Sequence, residues 1–159
     1  MRTVHWRMGF RDIAVNITQY HLRAFGLDEG VEQCRPWLTA PPDKALVPAG
    51  RTVAVNRTAR YQSNHHWWAK MAPVLEARAY FMGLPREHEL FQESFGISLP
   101  ATTYTSAMEM ASALAATGML LANQSLALAL AIGLGVKFKC ELYKETPDCM
   151  FVREGCEYL

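Results

Sequence analysis

The sequence predicts a mainly α-helical, single-pass membrane protein, and three observations point that way. From Met110 to Val136 there are 27 consecutive residues without a formal charge. A helix of that length spans about 40 Å, more than the roughly 30 Å core of a bilayer. Charged residues make up only 19% of the chain, below the roughly 25% of an ordinary globular domain. The rest of the 159 residues, with a proline-rich loop among them, looks too small to surround so long an apolar helix on every side. The expected organisation is a helical extramembrane region over 1–105 with an extended loop at 26–60, a transmembrane helix over 106–138, and a C-terminal tail over 139–159.

The N-terminus, MRTVHWRMGFRDIAV, carries no secretory signal, because its apolar run is short and broken by Arg7, Arg11 and Asp12. Arg2, Arg7 and Arg11 against a single acid suit a retained mitochondrial targeting helix. In residues 8–25, Phe10, Ile13, Ala14, Ile17, His21, Ala24 and Phe25 recur at three- and four-residue steps, which predicts an amphipathic helix stopped by Gly26. The segment PWLTAPPDKALVPAG is too rich in proline for a helix and reads as an extended run laid over a surface. RTVAVN, 51–56, alternates like a strand, but no partner strand is evident, so no sheet is expected. Residues 61–82 read as a helix kinked near Pro73. A second helix follows from Pro85, with Glu87 and Glu89 in its first turn, where the helix dipole favours acids.

Within the apolar run, Ala111, Ala115, Gly118, Ala122, Ser125 and Ala129 step by four and three, and Gly133 extends the series. On one continuous helix this is a stripe of small side chains against which a second helix could pack, with Asn123 and Gln124 beside it to hydrogen-bond across the interface. Trp67 and Trp68 are expected as anchors at one membrane interface, and Lys137 and Lys139 at the other. The lysines after the span and the acids before it place the tail on the cytoplasmic or matrix side. A disulfide among Cys140, Cys149 and Cys156 would place it on the opposite side.

Candidate chemistry is sparse. Cys34 and the three tail cysteines form no C-x-x-C pair. Adjacent His65 and His66 would point about 100° apart on a helix and chelate one metal poorly. Glu87-His88-Glu89 reads as a solvated first turn. There is no G-x-S-x-G, P-loop, H-E-x-x-H or G-x-G-x-x-G. A net charge of +1 gives no support to a nucleic-acid surface. No catalytic residue, metal site or cofactor is therefore assigned. The function expected is that of a non-catalytic accessory subunit of a mitochondrial inner-membrane energy-transducing assembly, a respiratory complex or ATP synthase, with its other subunits and membrane lipids as partners. Two alternatives stand beside it. One is a small metal- or thiol-dependent enzyme or cofactor-binding protein. The other is a soluble helical protein with a buried central helix.

Overall fold

The computed structural model describes residues 17–27, 35–63, 66–146, 150–151 and 154–159. The long apolar run is not one helix. Ser106 caps helix α4 (Ala107–Ala115) by accepting from Glu109 N, and the helix stops before Thr117-Gly118. Strand β4 (Met119–Asn123) follows. Ser125 then caps helix α5 (Leu126–Leu134), and Gly135, at φ 78°, ends it in the left-handed conformation that glycine adopts without strain. Strand β5 (Phe138–Glu141) completes the stretch. No helix among the described residues is long and apolar enough to cross a membrane. The predicted transmembrane helix over 106–138, and the mainly α fold built on it, are thereby corrected. The run is uncharged because it lies in the middle of a parallel α/β sheet, where strands and crossover helices are both buried.

The isolated strand of the sequence reading is the centre of that sheet. Strand β1 (Val53–Asn56) pairs in parallel with β2 (Ala79–Met82) on one side and with β4 on the other. Strand β2 pairs with β3 (Ala101–Thr102), and β5 lies between β4 and β6 (Cys156–Tyr158). All six strands are parallel, in the order β3-β2-β1-β4-β5-β6. This is the order of a doubly wound dinucleotide-binding sheet, in which the chain reverses its direction of travel between the first and fourth strands.

Helices lie on both faces, as right-handed crossovers on either side of a reversal require. On one face α4 and α5 bury Leu114, Leu128 and Ile132 against Ala54, Leu120, Ala122 and Phe138. On the other, α2 (Trp67–Arg78) and α3 (Pro85–Phe95) bury Trp68, Leu75 and Phe91 against Val55, Phe81 and Leu121. The helix read over 61–82 therefore ends at Arg78, and AYFM turns into β2 with all four residues buried. Its Pro73 lies inside α2. Of the amphipathic helix read over 8–25, α1 (Ile17–Ala24) is described, while Phe10, Ile13 and Ala14 lie outside the described residues.

The proline-rich segment crosses the α4–α5 face with one 3-10 turn at Lys44–Leu46. Trp37 N and Leu38 N both donate to Gly133 O, at 2.8 and 2.9 Å, and Asp43 N donates to Ser112 O at 3.1 Å. A side chain at Gly133 would place its Cβ within 2.6 Å of Leu38 Cγ, so only glycine admits the segment this closely.

Candidate functional site

In an open parallel sheet the crevice for a ligand opens at the carboxyl ends of the strands, where the strand order reverses. Here that place is defined by Asn56, the last residue of β1, and by Asn123, the last of β4. Two cavities open along this edge. The smaller, about 260 Å³, is lined by Asn56, Thr58, Gly83, Glu87, Tyr104 and Leu126 among others. The larger, about 420 Å³, is lined among others by Trp37, Arg60, Tyr61, Gln124, Ser125 and Phe151. Leu126 at the start of α5 lines both, so the N-terminus of α5 separates the two cavities.

Asn56 and Glu87 are the polar groups of interest in the smaller cavity's lining. Asn56 is 3% exposed, and its Nδ2 donates to Met82 O at 2.7 Å. Its Oδ1 is buried without a hydrogen-bond partner among the described residues. A buried amide oxygen left unpaired is costly, and functional sites are where that cost recurs. Glu87 Oε2 accepts from Leu84 N at 3.2 Å, and its carboxylate retains further acceptor positions. Gly83 permits both groups to approach: a Cβ there would lie 3.0 Å from Glu87 Oε2 and 3.1 Å from Asn56 Nδ2. Burial pushes the Tyr104 phenol well above its ordinary range. It therefore stays protonated, and its hydroxyl donates to Leu46 O at 3.3 Å. The acceptor positions left on Glu87 could take a donor such as a hydroxyl group.

The wall shared by both cavities is the loop from Arg57 to Ser63. Asn123, fully buried, holds its middle: Oδ1 accepts from Thr58 N at 3.0 Å, and Nδ2 donates to Thr58 O at 3.1 Å and to Arg60 O. Tyr61 is the only non-glycine among the described residues with positive φ, at 53°. Such strain persists where surrounding contacts enforce it. The Arg60 guanidinium lies 5.7 Å from the Tyr61 ring centre, at the mouth of the larger cavity. Gln124 holds the opposite wall. Its Oε1 accepts from Tyr143 N at 2.8 Å and its Nε2 donates to Thr146 O.

The residues expected to form one helix-packing stripe are spread over several elements. Ala111 and Ala115 are on α4, Gly118 is in the turn before β4, and Ala122 and Asn123 are on β4. Gln124 and Ser125 form the next turn, and Ala129 and Gly133 are on α5. Trp68 is fully buried and Trp67 half-buried, with rings stacked 4.1 Å apart. Lys137 is exposed, and Lys139 pairs with Glu157. Of the Glu87-His88-Glu89 turn, Glu87 faces the cavity, His88 lies against the Phe81 ring, and exposed Glu89 pairs with Arg86. His66 is exposed at the start of α2. Cys34, His65 and Cys149 lie outside the described residues. Among the described residues no group of three or more His, Cys, Asp or Glu is placed to hold a metal ion.

Asn56, Arg57, Thr58, Arg60 and Glu141 were not singled out from the sequence. The available signal was polar residues directly following an alternating strand, NRT after TVAV, repeated as NQS after MLLA. The accessory-subunit reading, with its respiratory-complex or ATP-synthase assembly, rested on the membrane span and is corrected with it. The expectation that the chain is not an enzyme rested on the same membrane span and falls with it.

No protein-family model matches the sequence, and no curated protein matches it. A solved structure that it resembles is the crystal structure of the glycosyl transferase family 9 from Veillonella parvula DSM 2008, at a TM-score of 0.47 and 17% identity. The likeness covers 72% of this chain and 36% of that one, so this chain spans about a third of that protein's length.

Proposed function

We propose that this chain supplies the binding edge of a group-transfer enzyme whose substrate is a nucleoside diphosphate conjugate. The observation that carries the reading is the Glu87 carboxylate in the lining of the smaller cavity, at the reversal point of a sheet in dinucleotide-binding order. In such sheets an acid after the second strand takes the ribose hydroxyls. Glu87 follows β2 and is positioned for that role. The α5 N-terminus, capped by Ser125, lies between the cavities. Its amides and the Arg60 guanidinium would favour the diphosphate. The larger cavity, walled by Trp37, Tyr61 and Phe151, would accept the carried group. The β1–α2 loop has no glycine-rich phosphate fingerprint, so the diphosphate is assigned to the α5 turn instead.

The test is thermal unfolding with ADP, GDP and UDP, and with their glycosyl conjugates, glycosyl transfer being the first reaction to assay. A ligand at one hundred times its Kd stabilises by about 2.7 kcal/mol, or roughly 5–11 °C for a chain of this size. One nucleotide should give such a shift, and E87Q should abolish most of it while leaving the unliganded midpoint in place. The reading is overturned if no nucleoside diphosphate at millimolar concentration shifts the midpoint, or if inorganic phosphate shifts it equally.

A further inference from the structure

The loop that walls both cavities is tied down from beneath by a buried ion pair. Glu141 ends β5, directly across from Asn123, and is fully buried. Its carboxylate accepts from Arg57 Nε at 2.6 Å and Nη2 at 3.0 Å, from Ser63 N at 2.8 Å and from Trp68 Nε1 at 3.0 Å. These donors come from the first residue of the loop, from Ser63 near its far end and from the first turn of α2. Arg57 is itself 9% exposed, and its guanidinium lies 4.9 Å from the centre of the Phe95 ring.

We infer that Arg57 and Glu141 form a positioning pair that sets the conformation of residues 58–63 without touching the ligand. A fork of two parallel N–H···O bonds fixes orientation as well as distance, which a single contact would not. Buried ion pairs are weak sources of net stability, so the effect to look for here is on the loop's geometry rather than on the fold's stability. The two ends of the loop are fixed by one carboxylate and its middle by Asn123, and the strained φ of Tyr61 is held between them. Without the pair, Thr58 would be loosened at the smaller cavity and Arg60 and Tyr61 at the larger, while the sheet beneath would remain. The consequence for ligand affinity rests on the function proposed above; the consequence for the loop does not.

The experiment uses the double variant R57M/E141M, which removes both charges and keeps the volume, and R57K, which keeps the charge and loses the fork. Amide hydrogen exchange is read at 58–63 and at 53–56 and 119–122. Calorimetry is run with the nucleoside diphosphate that stabilises the wild type most. In the double variant, the loop amides should exchange at least tenfold faster while the strand amides keep their protection. Affinity should fall at least tenfold, with R57K intermediate in both. If the double variant does not fold, R57K alone decides by the same two readouts. Unchanged loop exchange in a folded variant overturns the inference, and so does a loosened loop with undiminished affinity. If the wild type binds no nucleoside diphosphate, the proposed function fails, and loop exchange alone still decides the positioning role.

Discussion

Asn123 gives the sharpest prediction, because in the α/β structure its hydrogen bonds to the β1–α2 loop can be counted: three of 3.1 Å or less and two longer ones, from the Thr58 hydroxyl at 3.4 Å and to Tyr61 O at 3.5 Å. N123A removes them all, and the three shorter ones set the magnitude. At roughly 1 kcal/mol each, the loss is about 3 kcal/mol, or a fall in midpoint of about 6–12 °C. N123D is the more informative change. It retains an oxygen for Thr58 N but places a second oxygen against the Thr58 and Arg60 carbonyls in a fully buried position. Burial and the facing carbonyls both oppose the carboxylate, so its folded pKa must rise above the unfolded value of about 3.9. A group whose folded pKa is raised keeps its stability below the unfolded pKa and loses it as pH climbs to the folded one. N123D should therefore lose up to about 1.4 kcal/mol per pH unit above pH 4 relative to wild type. It should be milder than N123A at pH 5 and worse at pH 8. Urea unfolding of the three proteins at both pH values reads this directly. A loss below about 1 kcal/mol for N123A, with an N123D difference that does not change between the two pH values, would refute the hydrogen-bonded turn.

Two further predictions concern the ends of helices. Hydrogen bonds from Thr105 N, and then from its hydroxyl, hold Glu109 below its ordinary value of about 4.5. This stabilisation is complete above that value and is lost as pH falls through the depressed one, so the deficit of E109Q against wild type should shrink in acid unfolding below about pH 4.5 and be constant above it. Gly96 and Gly135 both sit at positive φ, 66° and 78°, but a Cβ at Gly96 meets nothing within 4 Å whereas one at Gly135 would lie 2.7 Å from Pro36 Cγ. G96A should cost about 1–2 kcal/mol for the backbone alone. G135A should cost a further 1–3 kcal/mol for overpacking, and equal losses in chemical unfolding would contradict the packing of the proline-rich segment on α5.

Parts of this fold could be read from the residues. Pro85 with Glu87 marked the start of α3, Gly26 marked the end of α1, and the alternation of TVAVN marked β1. The sheet was missed because its other central strands lack alternation. AYFM and MLLAN are buried on both faces, and a doubly buried strand is a plain apolar run that periodicity cannot separate from a helix. By pattern alone AYFM continues the preceding helix and MLLAN continues the apolar run on either side of it. The punctuation was present in Thr117-Gly118 and Asn123-Gln124-Ser125, which are turn and cap residues before they are interface residues. The three- and four-residue stepping of small side chains across 111–133 arises because alanine and glycine are frequent there, since it runs through two helices and a strand. The site was harder still. Glu141 and Arg57 are 84 positions apart, and nothing local in either sequence shows that parallel pairing brings them together.

The three residues Asn123, Gln124 and Ser125 each serve a different part of the molecule. Asn123 reaches the loop after β1, Gln124 reaches the loop after β5, and Ser125 turns back on its own helix. Their assignments depend on order as much as on chemistry. Inserting or deleting one residue here would send each side chain to its neighbour's task, although every hydrogen-bonding group would still be present. A reading-frame-preserving indel of a single codon at this turn should therefore be far less tolerated than most single substitutions, and a library of such indels would mark the triplet as a sharp boundary between β4 and α5.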